Sequence, residues 1–181
     1  MHNNISFNNN RQGERLEVHE YMEKEFKEYF QEILKEQRGH RDQAIRNVMQ
    51  HIPKFITADH NNKLLQSISM QEVAAAMAQL KDGKAPGPDG FTANFFHKLW
   101  ELIKTEVWEL VEESRSMHWI LPSLNGTFLA LIPKGDESNT PDKYRLIALC
   151  NVIYKLISKV LANRLKPLLS LLISPKQTGY V

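Results

Sequence analysis

The side chains with the clearest chemical potential are cationic and lie in the last third of the chain. No acidic residue follows Asp142, whereas seven basic residues do: Lys143, Arg145, Lys155, Lys159, Arg164, Lys166 and Lys176. Lysine supplies a compact charge and arginine a planar fork of donors, and both bind phosphate oxygens. The formal net charge of the whole chain is only +2. The basic third is therefore a candidate polyanion-binding surface, with a solvated face that balances the acidic helices as the open alternative.

The other residue types that commonly do chemistry show no matching pattern. Cys150 is the single cysteine, so neither a disulfide framework nor a cysteine zinc site is predicted. The seven histidines show no HExxH or paired-ligand spacing, and no metal or cofactor is assigned to this chain. No apolar run reaches membrane-spanning length, and the polar start MHNNISFNNN differs from a signal peptide. We therefore expect an intracellular protein without a membrane partner.

Residues 84–91, KAPGPDGF, contain two prolines and two glycines. The prolines fix φ and the glycines free it, and Asp89 is predicted to cap the helix that begins near Thr92. Such a stretch is either a stiff connector or a place where the backbone comes close to another group.

The spacing of apolar residues predicts the elements that position these side chains. Ser69 and Glu72 fit a capping box, which marks the start of a helix. Two short apolar runs indicate strands that can form a hairpin. The predicted helices cover 14–37, a short stretch up to 51, 69–82, a long segment from Thr92, and a segment that Asn151 caps and Pro167 ends or kinks; the predicted strands are 127–132 and 144–149.

The succession of these segments is more informative than any one of them. A capped helix, KAPGPDGF, a long aromatic helix, FLALIPK, YRLIALCNVIYKLISKVLANRL and ISPKQTGYV follow one another. In this order they resemble the N-terminal part of the reverse transcriptase of non-LTR (LINE-type) retrotransposons, particularly the plant kind. The resemblance covers residues 70–181. It implies the fingers and early palm of a right-hand polymerase, an α+β and mainly helical fold with one short antiparallel β-hairpin and an incomplete palm.

The resemblance also implies roles for particular residues. Lys134 and Arg145 would contact the triphosphate of an incoming deoxynucleotide beneath the hairpin. Lys84 and Gly87 would let the template backbone approach the KAPGPDGF loop, unless that loop is only a structural corner. Further phosphate contacts are expected along the same groove from Lys155, Lys159, Arg164 and Lys166.

Two features depart from the family's pattern. Leu146 stands where the family usually has proline after the arginine, so the exit of the second strand can differ. The family's metal-binding carboxylates, a strand Asp and an aromatic-x-Asp-Asp turn, lie beyond ISPKQTGYV, and no aromatic-x-Asp-Asp string occurs in this sequence. A requirement for Mg²⁺ is therefore expected of the complete parent enzyme and not of this chain.

Two main hypotheses follow, with an unrelated helical regulator that shares these motifs by accident as a third interpretation. In the first, the chain is a fragment of an RNA-directed DNA polymerase and is inactive alone. It is expected to be nuclear if it is expressed. The partners of the parent enzyme would be an RNA template, a DNA primer and deoxynucleoside triphosphates. In the second, it is a non-catalytic helical module that binds nucleic acid or a protein. The predicted organisation is a disordered N-terminus (1–13), a helical linker region (14–68) and the truncated N-terminal part of a reverse transcriptase domain (69–181).

Overall fold

The computed structural model describes residues 5, 8–10, 13–35, 41–136 and 138–173. Helices predominate among them. In chain order the elements are β1 (Asn8–Asn9), β2 (Arg15–Leu16), α1 (His19–Leu34), α2 (Arg41–Met49), α3 (Ala58–Leu65), α4 (Met70–Ala78), α5 (Ala93–Ser116), β3 (Thr127–Pro133), a short 3-10 turn (Pro141–Lys143), β4 (Tyr144–Cys150) and α6 (Val152–Leu172).

The chain divides into two compact units. The first comprises the described residues of Met1–Ile52 and Leu129–Ala148. The second comprises those of Pro53–Phe128 and Leu149–Val181. Strands β3 and β4 pair with each other in a two-stranded sheet, and each strand has residues in both units.

The first unit begins with an antiparallel pairing of β1 and β2, in which Asn8 lies opposite Leu16. Gly13 has φ of 86°, a left-handed conformation that glycine adopts without steric cost and that helps the chain reverse. This pairing differs from the disordered start predicted for 1–13. Residues 1–4, 6–7 and 11–12 of that stretch lie outside the described residues.

Helix α1 is shorter than the predicted 14–37. It begins at His19, because Arg15–Leu16 form β2 instead of helix, and residues 36–37 lie outside the described part. Met22 and Phe26 are buried on α1. The ring of Phe26 makes an edge contact with Tyr144, with 5.0 Å between ring centroids.

The two predicted strands pair as a hairpin, with bounds one residue longer at the C-terminal end of each. The backbone N–H of Lys134 donates to the carbonyl of Lys143 at 2.8 Å and closes the end of the ladder. The hydroxyl of Tyr144 donates to the carbonyl of Ser138 at 2.8 Å and ties the connection to the start of β4.

The second unit is built around α4, which packs against α5 and α6. The predicted capping box at its start is confirmed: Glu72 N donates to Ser69 Oγ at 3.3 Å, and Ser69 N donates to Glu72 Oε2 at 2.8 Å. Buried apolar residues from these helices and from the connection that precedes α4 form one core: Ile68, Val73, Ala76, Met77, Phe96, Val107, Val111, Val152, Ile153, Leu156, Ile157 and Val160.

Three local predictions in this unit were wrong. Asp89 does not cap α5; its carboxylate accepts from the backbone N–H of Phe91, two residues away, at 3.0 Å. Asn151 stands at the N-cap position of α6 but makes no side-chain cap bond. Of the two alternatives predicted for Pro167, ending the helix is wrong, since α6 continues to Leu172; a kink at Pro167 stays a prediction.

Helix α3 was not predicted at all. Thr57 and His60 form a capping box at its start: His60 N donates to Thr57 Oγ1 at 3.2 Å, and Thr57 N donates to His60 Nδ1 at 3.3 Å. A histidine at the third helical position replaces the usual Glu or Gln of this motif. A capping-box pattern that accepts His as well as Glu or Gln at the third helical position would have predicted this helix from Thr57-Ala-Asp-His60.

Candidate functional site

The KAPGPDGF loop is pressed against the start of α6 at Gly87, which is buried. A Cβ atom added there would lie 2.3 Å from Asn151 Oδ1, 2.4 Å from Asn151 N and 2.5 Å from the carbonyl carbon of Cys150. Non-bonded atoms do not approach so closely, so only glycine fits. The loop backbone therefore comes close to the chain's own β4–α6 junction at Gly87, as the structural alternative for this loop would have it, and the approach of a template backbone stays a prediction.

Asn151 is the residue that holds this junction together. It is 1% exposed, and its side-chain amide links three segments of the second unit. Its Oδ1 accepts from Asp89 N at 3.2 Å, while Nδ2 donates to the carbonyls of Ser123 at 2.9 Å and Leu124 at 3.3 Å. A buried amide with satisfied donors and acceptor rigidifies its surroundings, which explains why this side chain does not cap its own helix.

The lysines predicted to contact nucleic acid in this unit have different environments. Lys155 is half-buried, and its Nζ donates to the carbonyl of Ala85 at 3.3 Å, so it also fastens the loop to α6. Lys84 and Lys166 are exposed, and Lys159 is half-buried. Within the described residues no hydrogen bond or ion pair occupies the ammonium groups of Lys84, Lys159 and Lys166.

Arg164 points into its own chain and not toward solvent, with 11% of its side chain exposed. Its guanidinium makes a two-point ion pair with Glu72: Nε donates to Oε1 at 2.6 Å and Nη2 to Oε2 at 3.0 Å. Its remaining N–H groups donate to carbonyls at the end of α3, those of Leu64, Gln66 and Ser67. All five donors are thus used, which differs from the solvent-facing position that a phosphate contact requires.

Residues 66–69, the α3–α4 connection, are held from α5 as well. Glu112 accepts from Ile68 N at 2.8 Å, and Trp108 Nε1 donates to Ile68 O at 2.7 Å. Arg115 pairs with Glu112 and donates to the carbonyl of Leu65 at 3.2 Å. Side chains from two helices therefore satisfy backbone groups that a helix end leaves without partners.

The carboxyl groups in these two ion pairs are acidified by their partners. The hydrogen bonds from Arg164 lower the pKa of Glu72 to about 2, against an opposing effect of burial. The hydrogen bonds from Arg115 likewise lower the pKa of Glu112 to about 2. Both groups favour the charged form in the folded state, so folding is linked to their ionisation.

Acid should therefore lower the free energy of unfolding of the second unit as pH falls from 4.5 to about 2. Because both folded-state pKa values lie below the ordinary 4.5, the stabilisation is complete above pH 4.5 and is lost as pH falls toward 2. Denaturant titrations at a series of pH values should show this loss in the wild type. The variant Glu72→Gln with Glu112→Gln should be less stable at neutral pH and should have a flatter profile across the window.

The control for this experiment is Glu109→Gln, which changes an exposed carboxylate on the same helix as Glu112. It should leave both the neutral stability and the acid profile near those of the wild type. An acid profile of equal steepness in the wild type and the Glu72, Glu112 double variant would contradict the assignment.

Lys134 and Arg145, the residues predicted to bind triphosphate, both lie in the first unit near the end of the hairpin. Lys134 is exposed, and its Nζ donates to the carbonyl of Asp142 at 2.6 Å across the β3–β4 connection. Arg145 is exposed on β4, and no hydrogen bond or ion pair within the described part of the chain engages its guanidinium. The structure therefore places one tethered and one unengaged cation at this end of the hairpin.

Leu146, which replaces the proline usual in the resembled family, is part of β4 and faces the opposite way from Arg145. It lines a cavity of about 520 Å³ in the first unit together with Phe26, Leu129 and Leu131. The side chain thus contributes to the apolar surface beneath the hairpin.

The described ranges hold neither a cluster of metal-binding side chains nor a helix that could span a membrane. They contain no group of three or more His, Cys, Asp or Glu side chains arranged to hold a metal ion. None of their helices has both the length and the apolar character that crossing a bilayer requires.

Sequence reasoning missed the residues that organise the second unit, chiefly Asn151, Glu72 and Glu112. Asn151 and Glu72 were noted only as helix caps. Their distant partners leave no periodic signal, since Asp89 lies 62 residues from Asn151 and Arg164 lies 92 residues from Glu72.

The chain is similar to a protein encoded by a transposon. It is 25% identical over 123 residues to the "Transposon TX1 uncharacterized 149 kDa protein" of Xenopus laevis. The matched region covers 68% of this chain and 9% of that protein, so the chain spans about a tenth of the relative's length. No protein-family model matches the chain. The similarity indicates a transposon origin.

Proposed function

We propose that the chain is the N-terminal, fingers and early palm part of the reverse transcriptase of a LINE-type retrotransposon. It would contribute template and nucleotide contacts to an RNA-directed DNA polymerase and be inactive alone. The observation that supports this most directly is the ordered set of motifs from KAPGPDGF to ISPKQTGYV in a chain that is related to a transposon protein.

The positions of the basic residues are compatible with this proposal. Arg145 is exposed on the hairpin, and Lys159 and Lys166 lie seven residues apart on α6, on one side of the helix. Unengaged cations on rigid elements bind phosphates without reading sequence. In this proposal Lys155 and Arg164 position the loop and the α3–α4 connection, while Lys84, Lys159 and Lys166 contact the nucleic acid.

The test is binding of single-stranded RNA over a range of salt concentrations. The wild-type chain should bind weakly and without sequence preference, and its affinity should fall as salt rises, because neutralised phosphates release counterions. Reversing the charges of Lys159 and Lys166 to Glu should weaken binding at low salt and flatten the log–log slope by about 1.4, since each contact on a single strand contributes about 0.7.

The matched control reverses two charges on α1, Lys24→Glu and Lys27→Glu. Both residues are exposed on a helix that also bears Glu20, Glu23, Glu25, Glu28 and Glu32. This control should bind RNA nearly as well as the wild type. Equal loss of affinity in both double variants would mean that only bulk charge matters and would favour the non-catalytic module hypothesis.

A further inference from the structure

An aromatic pair lies exposed where the KAPGPDGF loop meets α5. Phe91 is 45% exposed and Phe95 is 37% exposed. Their ring centroids are 4.5 Å apart at an interplanar angle of 37°. The buried ring of Phe96 contacts both edge to face, at 6.4 Å from Phe91 and 5.4 Å from Phe95. The contacts with the buried ring of Phe96 therefore hold the two exposed rings in place.

The backbone that presents Phe91 is fixed by a chain of hydrogen bonds. Gly90 N donates to Gly87 O at 3.1 Å, which closes a turn, and Gly90 has φ of 76°. Phe91 N donates to Asp89 Oδ1 at 3.0 Å, and Asp89 N donates to the buried Asn151 at 3.2 Å. The aromatic surface is thus preorganised, which reduces the entropy lost when a ligand binds.

The charges around this pair favour an anionic ligand. Lys98 lies three residues after Phe95 on the same helix face, and Lys81 and Lys84 precede Phe91 in the α4–α5 connection; all three are exposed. No hydrogen bond or ion pair in the described part of the chain engages their ammonium groups.

The neighbouring carboxylates, by contrast, are engaged. Asp82 bonds the ring of His97 at 2.9 Å, Asp89 accepts from Phe91 N, and Glu101 pairs with Lys104. Lys104 neutralises Glu101, and the three lysines outnumber the two remaining carboxylates, so the charge beside the aromatic pair is positive.

We propose that Phe91 and Phe95 form a platform on which bases of single-stranded RNA stack, with Lys98 and Lys84 binding the adjacent phosphates. This inference rests on the proposed function and adds a second kind of contact to it. Aromatic side chains combined with nearby cations bind single strands with little sequence preference, because every base presents a π-face. The alternative ligand is an apolar protein surface. It would bury the two rings as apolar area and would not require their π-faces.

The experiment separates base stacking from apolar contact by comparing variants that remove or keep the aromatic ring of Phe95. Phe95→Leu keeps an apolar side chain but removes the π-face, and Phe95→Tyr keeps the π-face. Leu102→Asn removes an exposed leucine one helical turn past Lys98 on the same face. Affinity is measured by fluorescence anisotropy with a short oligoadenylate that contains a fluorescent adenine analogue, whose emission is quenched on stacking.

Phe95→Leu should weaken binding about fivefold or more and abolish the quenching, whereas Phe95→Tyr and Leu102→Asn should stay near the wild type. The same measurements on Phe91→Leu should give a similar loss. Circular dichroism and thermal melts confirm that each variant is folded before binding is compared.

A matched abasic oligonucleotide distinguishes this inference from the proposed function. The wild type should bind it more weakly than oligoadenylate, with the salt dependence retained. Equal affinity for both would overturn stacking and leave the phosphate contacts standing, whereas no binding of either would overturn both. Weakening by Leu102→Asn equal to that by Phe95→Leu would overturn the platform in favour of an apolar protein surface.

Discussion

Replacing Gly87 by alanine is expected to destabilise the second unit by roughly 3 kcal/mol or more, the range of severe overpacking. The added methyl group would lie within 2.5 Å of Asn151 Oδ1, Asn151 N and the carbonyl carbon of Cys150. Two of these atoms belong to the backbone at the start of α6 and cannot rotate away. The loop or the β4–α6 junction must therefore shift, which also strains the hydrogen bond from Asp89 to Asn151.

Chemical denaturation followed by far-UV circular dichroism measures this loss of stability. If the destabilisation is large enough, the Gly87→Ala variant yields no folded protein on expression. The matched control is Gly126→Ala in the same unit, where an added Cβ would meet its nearest neighbour, the carbonyl oxygen of Ser123, at an ordinary 3.5 Å. That variant should change the stability by less than about 1 kcal/mol. Comparable unfolding midpoints for the two variants would show that Gly87 is not a close-approach site.

Local signals in the sequence were sufficient for several elements of the fold. The capping box at Ser69 needs only residues three apart, so a single sequence reveals it. The two strands of the hairpin were visible because short apolar runs are bounded by Gly126, Pro133 and the polar connection. These predictions depend on spacing within one element, where the chain's own geometry determines which side chains meet.

Predictions about polar side chains were less accurate, because such groups choose among competing partners. Asn151 and Asp89 are both good helix caps in isolation. In the fold, Asn151 satisfies backbone groups of two other segments and Asp89 bonds the turn that presents Phe91. Once the chain folds, a buried backbone group without a partner costs more than a lost cap, and this tertiary requirement decided the outcome.

Predictions about charged side chains are limited in the same way, as the basic residues of the last third of the chain show. The phosphate contacts expected along one groove included Arg164 together with Lys159 and Lys166, all of them cations on one predicted helix. The structure separates them: Arg164 is saturated by Glu72 and the end of α3, whereas the two lysines are unengaged among the described residues. A guanidinium offers five directed donors, so it suits a crowded backbone corner that an ammonium group could not satisfy.

Removing the guanidinium should therefore affect stability far more than removing a neighbouring lysine. We expect Arg164→Ala to cost roughly 3 kcal/mol, because it leaves Glu72 without its ionic partner and the carbonyls of Leu64, Gln66 and Ser67 without donors. Arg164→Lys should recover only part of the loss, since three donors cannot replace five. Lys166→Ala, on the exposed side of the same helix, should be nearly neutral.

A double-mutant cycle with Glu72→Gln isolates the ion pair from the backbone contacts. The double variant Arg164→Ala with Glu72→Gln should be less destabilised than the sum of the single variants, because the second change removes the uncompensated carboxylate. The part of the loss that remains measures the bonds to the end of α3. Additive effects of the two changes, or a loss from Arg164→Ala as small as that from Lys166→Ala, would mean that Arg164 is free to contact an external phosphate after all.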